Sequence, residues 1–152
     1  MNSRKILVLG IGNLLMGDEG VGVHAIRRLE QEALPAQVAL VDGGTGGFHL
    51  LEYFGDFDTI VMIDATMDGQ PAGTVATIEP RYASDFPRTL TAHDIGLRDL
   101  VESAALLGSL PTIHLVTVSI DAMQPMQTSL SPAIERAIEH VAATVRELVA
   151  TL

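Results

Sequence analysis

Apolar residues gather in short unbroken runs at Lys5 to Leu9, Val38 to Val41, Thr59 to Ile63, Thr74 to Ile78 and Thr112 to Ile120. These runs are rich in Val, Ile and Leu and do not alternate with polar residues, the pattern of strands covered on both faces. Between them the spacing becomes helical. Ala25, Ile26, Leu29 and Ala33 mark one side of Val21 to Ala33, and two further helices are predicted at Phe48 to Phe54 and Ile95 to Leu107. The clearest stripe is Ile134, Ile138, Val141, Val145, Leu148 and Leu152, with Ser131 as candidate N-cap and Pro132 in the first turn. Strands alternating with helices predict an α/β fold. The expected form is a single three-layer domain over residues 1–152, with a mostly parallel twisted sheet of about five strands and helices on both faces. Irregular stretches at Gly43 to Gly47, Asp68 to Gly73 and Arg81 to Thr91 are loop candidates around a site.

Composition narrows the partners. A length of 152 residues suits one core, and 47% hydrophobic against 18% charged residues is far from the disordered regime. The formal charge of -10 repels nucleic-acid phosphates and anionic membrane surfaces. With no Cys, any metal must be held by carboxylate, imidazole or carbonyl groups, and cysteine nucleophiles are excluded. Arg4 and Lys5 precede only the short run Ile6 to Leu9, too brief for a signal-peptide core. The apolar segment from Ala104 to Ile120 is interrupted by Gly108, Pro111 and His114 and fails as a span of ~20 residues. A cytoplasmic protein is expected.

The turn after the first strand carries the first chemical signal. Gly10-Ile11-Gly12, with Asp42 closing the second strand, invites a dinucleotide reading, but Leu15 stands where the third glycine belongs. Gly12 and Gly17 have P-loop spacing, yet Asp18 and Glu19 replace the Lys and the hydroxyl residue that should follow. Two carboxylates repel pyrophosphate and attract a cation. The structural alternative is that they stabilise the positive end of the next helix, and both roles can coexist.

Asp64 ends the run Thr59 to Ile63, at the carboxyl edge where open α/β sheets place ligands, although a strand-terminal Asp also serves as a turn former. His93 falls between Pro87 and the helix predicted near Ile95, where neither strand nor helix burial accounts for an imidazole. It is the best metal-ligand histidine. His24 and His140 fall on helices, His49 near the start of another and His114 at the head of a strand, so they receive no catalytic role.

Three segments together, Gly12-Asn13-Leu14-Leu15-Met16-Gly17-Asp18-Glu19-Gly20, Ile60-Val61-Met62-Ile63-Asp64-Ala65 and Thr91-Ala92-His93-Asp94-Ile95-Gly96-Leu97, resemble the signature of the hydrogenase maturation endopeptidases. Asp64-Ala65 followed by Gly69, Pro71 and Gly73 is similar to the family's second motif, with Ala72 inserted between its usual Pro and Gly. Asp42-Gly43-Gly44-Thr45 is a fourth likeness, and its paired glycines allow a substrate peptide to approach, as would an ordinary strand-to-helix turn. The likeness spans nearly the whole chain. It implies a protease that removes the C-terminal extension of a nickel-iron hydrogenase large-subunit precursor after nickel insertion.

The resemblance assigns Glu19, Asp64 and His93 as catalytic and metal-contacting residues. Asp42, Gly43, Gly44 and Asp18 are left to bind substrate or support those ligands. Nickel is expected as the cation, brought by the precursor, and zinc or cadmium could substitute for it in a crystal. Two carboxylates and an imidazole form an oxygen-and-nitrogen set that suits such ions and leaves positions open. The chain lacks a G-x-S-x-G elbow, any Cys and an H-E-x-x-H helix, so other protease schemes lack their parts. Two rivals remain: a non-hydrolytic nickel-binding or metal-delivery protein using the same ligands, and a nucleotide-binding regulator built on the Gly10 loop.

Overall fold

A computed structural model of the chain describes residues 5–87, 97–108 and 110–152. Among the described residues, five strands form one sheet: β1 (Ile6–Gly10), β2 (Val38–Asp42), β3 (Thr59–Thr66), β4 (Val75–Ile78) and β5 (Thr112–Ser119). Their spatial order is β2-β1-β3-β5-β4; all neighbours are parallel except β4, which runs antiparallel to β5. The helices are α1 (Val21–Leu29), α2 (Leu51–Asp56), α3 (Leu97–Leu106) and α4 (Pro132–Thr151). The α/β class and the mostly parallel five-stranded sheet follow the expectation.

The strand pattern explains the layers. Every residue of β1 is fully buried, because side chains on both faces meet helices. On one face Val61, Ile63, Val116 and Val118 pack with Ile26 and Leu29 of α1 and with Ile134, Val141 and Val145 of α4. On the other, Ile60, Met62 and Leu115 pack with Leu50 and Phe54 around α2 and with Leu97, Leu100 and Ala104 of α3. The period of two along β3 therefore divides the core in half.

Several boundaries differ from expectation. α1 stops at Leu29, not Ala33: the amides of Gln31 and Glu32 donate to carbonyls three residues back, tightening the chain ahead of Pro35. The segment predicted as a helix from Phe48 begins as a 3-10 turn, Phe48–Leu50, before α2. β3 continues three residues past Ile63, since β5 pairs with it as far as Thr66 opposite Ser119. Ser131 does precede α4 with Pro132 in the first turn, but its side chain makes no cap hydrogen bond to the helix; its hydroxyl turns to Asp18 instead. No helix among the described residues is long and apolar enough to cross a membrane.

Candidate functional site

The chain leaves β1 through a very tight passage. A Cβ on Gly22 would lie 2.3 Å from the Ile11 carbonyl oxygen and 2.4 Å from that of Ile63, so only glycine lets the start of α1 rest on the ends of β1 and β3. The passage is laced to both neighbours. Ile11 donates its amide to the Ile63 carbonyl at 2.9 Å, Gly12 to Gly44 at 2.7 Å, and Gly43 to Gly10 at 2.8 Å. Residues Gly17–Gly20 then form a 3-10 turn that packs against β3. The turn carries the first two acidic candidates: Asp18 and Glu19 are only 3% and 7% exposed.

Glu19 and Asp18 have different surroundings despite their adjacency. Glu19 accepts the Asn13 amide on Oε2 at 2.6 Å, which fixes it over the loop it follows. Asp18 binds across the molecule. Its carboxylate accepts the Ser131 amide at 2.7 Å, the Ser131 hydroxyl at 2.7 Å and the Gln124 side-chain amide at 3.2 Å, while its own amide donates to Gln124 Oε1 at 2.8 Å. Asp18 thus ties the acidic turn to the segment that leads into α4.

Asp64 lies inside β3, not after it. The last residue of β1, Gly10, pairs with Ile63, so Asp64 is the first β3 residue beyond the end of β1, while on its other side it pairs with Thr117. It is 9% exposed, and its Oδ1 accepts the Ala65 amide at 2.9 Å. The strand's alternation puts Asp64 on the side of Ile60 and Met62, the α2 and α3 face. The order in which strands are added reverses between β1 and β3, since β2 lies to one side of β1 and β3 to the other. Glu19 follows β1 and Asp64 stands at its end, so both occupy the switch point where such sheets bind ligands.

His93 lies outside the described residues, and among those described no three carboxylate or imidazole groups form a metal cluster. The two acidic groups nonetheless suit a cation. Both are carboxylates withdrawn from bulk water, and no Lys or Arg occurs in residues 11–20, 42–50, 64–73 or 120–131, which follow β1, β2, β3 and β5. Asp42 is exposed, and its Oδ1 accepts the Gly44 amide at 2.8 Å. Gly44 adopts a φ of 54°, with open space where a Cβ would point. Gly43 is buried against Ile11 and Leu9.

Beyond Asp64 a cleft of about 430 Å³ opens on the same edge, a feature sequence reasoning did not place. Thr66, Met67, Asp68, Thr117, Ala76 and Ile78 line its sheet side. Opposite them lies a strap of residues 84–87, held over the cleft by Arg98 of α3, which donates to the carbonyls of Phe86 at 2.9 Å and Ser84 at 3.0 Å. Asp85 accepts the amides of Arg81 and Tyr82, and these bonds keep its carboxyl below the usual range. The only local hints of the cleft were the two irregular stretches, Asp68 to Gly73 and Arg81 to Thr91.

The chain has clear relatives. The sequence model of a family described as hydrogenase maturation protease matches residues 23–148. The hydrogenase expression/formation protein HupD of Rhodobacter capsulatus is 36% identical over 153 residues, covering 95% of this chain and 71% of that protein. The hydrogenase 2 maturation protease of Escherichia coli is 33% identical over 150 residues, covering 94% and 92%. Among solved structures, the hydrogenase maturating endopeptidase HybD from E. coli superposes with a TM-score of 0.78 at 34% identity, covering 94% of this chain and 93% of the other.

Proposed function

Because the chain belongs to the hydrogenase maturation protease family and is therefore an endopeptidase of hydrogenase maturation, we propose that it removes the C-terminal extension of a nickel-iron hydrogenase large-subunit precursor once nickel is in place. The observation that carries the reading is the placement of Glu19 and Asp64 at one switch point, where the loops after β1, β2, β3 and β5 contain no Lys or Arg. In this reading His93 supplies the third contact, and the three side chains grip nickel that the precursor brings as part of the substrate.

The chain's contribution is then positioning. Glu19, fixed by the Asn13 amide, and Asp64, fixed by its strand, bring carboxylates to the site on backbone that is already held in place. The ion supplies Lewis acidity at the scissile carbonyl or marks the precursor as loaded. The residues flanking the bond run from Gly44, where the absent side chain leaves open space for a peptide to pass, toward the cleft beside Asp64. Requiring substrate-borne nickel couples cleavage to metal insertion. No partner-specific pocket for a nucleotide is needed, and Asp18 and Glu19 disfavour one electrostatically.

The test is incubation with a purified large-subunit precursor, with and without nickel, followed by intact-mass measurement. Loss of the C-terminal extension from the nickel-loaded precursor alone is the expected result. Nickel transfer with no change in mass would establish the metal-delivery alternative and overturn the protease mechanism.

A further inference from the structure

The sheet edge that carries Glu19 and Asp64 is both acidic and conspicuously apolar. The loops after β1, β2, β3 and β5 each expose one large apolar residue: Leu15, Phe48, Met67 and Met126. Leu15 and Met126 are 54% and 84% exposed, and they flank a bridge between Met16 and Gln127, where Gly17 donates its amide to the Gln127 carbonyl at 2.8 Å. Two loops more than a hundred residues apart in sequence are thereby locked together with their apolar side chains outward.

Met126 is held there against its backbone preference. Gln127 donates to the Gln124 carbonyl at 3.2 Å, so Pro125 and Met126 are the central residues of a tight turn. Met126 has a φ of 63°, the sole positive φ of a non-glycine residue among those described. Glycine is the residue such a turn favours at this position. A chain that keeps a long apolar side chain at a left-handed position, almost fully in water, gains nothing for its own fold. The charge pattern points the same way. Asp42, Asp68 and Asp121 are exposed on this edge beside the buried Asp18, Glu19 and Asp64, and the loops after β1, β2, β3 and β5 contain no Lys or Arg, while Arg98 across the cleft is held by the Phe86 and Ser84 carbonyls. The surface complementary to it is basic and apolar.

We propose that this edge is a docking surface for the folded body of the substrate protein, with Leu15 and Met126 as its apolar anchors and the surrounding carboxylates steering a basic, apolar patch toward the site. This rests on the precursor reading of the function and adds that the enzyme recognises the precursor's folded surface as well as its tail. Apolar anchors set residence time, whereas the acidic field sets the approach rate and its dependence on salt.

The experiment measures binding and cleavage side by side. The nickel-loaded precursor and, separately, a synthetic peptide of its C-terminal extension are offered to the wild type, Met126→Gly, Leu15→Ser and the double variant. Met126→Gly suits the turn better than the native residue, so its melting temperature should stay level or rise. Its affinity for the precursor should nonetheless fall, with the double variant weakened about tenfold in Kd and KM at little change in kcat. Peptide binding should be unaffected, and raising NaCl should weaken precursor binding by the wild type.

Cleavage with unchanged KM and Kd in the double variant overturns the docking surface and leaves the protease reading standing. Weakened binding of a precursor that is never cut supports the surface and overturns the proposed reaction. A wild type that neither binds nor cuts the precursor removes both.

Discussion

On one face of the sheet α4 runs for 20 residues, about 30 Å of helix, over α1 and the strands; on the other, α2 and α3 supply only 6 and 10 residues and leave the cleft beside Asp64 open. The long-helix face is closed by a stripe of fully buried Ile134, Val141 and Val145 and clasped at its rim by Arg28 with Glu139 and Arg146 with Glu32. The short-helix face carries Asp64, the strap held by Arg98 and the start of α3, which follows the segment containing His93. Closure and chemistry are thus separated by the sheet. A helix long enough to seal a face would cover the strand ends where a substrate must enter, so the two tasks fall to different faces.

The largest expected contrast comes from the open edge. Asp64→Asn and Glu19→Gln preserve shape and remove a negative charge, so each should slow loss of the precursor extension by about a thousandfold or more, roughly 4 kcal/mol of barrier. Melting temperatures should move by only a few degrees. Substantial processing by either variant in an intact-mass time course would break the division between faces, as would a collapse of the fold.

A core truncation on the closed face should do the reverse. Ile134→Ala removes a fully buried side chain from the α4 stripe and should destabilise the protein by about 3 kcal/mol. The kcat of the fraction that remains folded should match the wild type. Urea unfolding and active-site titration measure the two quantities separately, and a proportional fall in kcat would mean that α4 also shapes the site.

These two faces were unequally legible in the sequence. Strands buried on both sides announce themselves as unbroken Val, Ile and Leu runs, and the α4 stripe repeats with helical spacing over five turns, so the sheet and the closed face could be read directly. Asp64 was found but placed after its strand, because the apolar run ends at Ile63; β3 continues only because β5 offers partners as far as Ser119. That is a tertiary effect with no local signature. The cleft was missed for the same reason, its walls coming from β3, β4, β5, the strap and α3. Glu19 stood out through the inverted charge of a glycine-rich turn, and the family resemblance set Asp18 apart as a supporting group, but what Asp18 holds was invisible because its partners lie 106 and 113 residues away.

Asp18 therefore links the two faces, and its removal should have an intermediate effect. Asp18→Ala leaves the Ser131 amide and hydroxyl and the Gln124 amide without their acceptor in a part-buried setting, a loss of about 1–3 kcal/mol. The acidic turn also loses its tether to the segment before α4. Activity of the folded fraction should fall less than in Glu19→Gln, with the change in KM exceeding that in kcat. Equal losses in Asp18→Ala and Glu19→Gln would show that both carboxylates meet the substrate directly.

The smallest effect is expected on the closed face, at His24 between α1 and α4. Its Nε2 is buried without a hydrogen-bond partner among the described residues, and desolvation together with the nearby Arg27 charge lowers its pKa from the ordinary 6.5, outweighing the opposing pull of Glu135, the Thr128 backbone and Asp18. A histidine depressed in the folded state favours the neutral form there, so the unfolded chain takes up the proton first as pH falls. The stability linked to His24 is complete above 6.5 and is lost as pH drops through the lower folded value. His24→Gln, which cannot titrate, should flatten the pH dependence of the melting temperature just below that point while leaving the rate of precursor processing at neutral pH unchanged. An unaltered melting profile would mean that the pocket between α1 and α4 admits enough water to protonate the imidazole freely, and the closed face would then be less sealed than its apolar stripe implies.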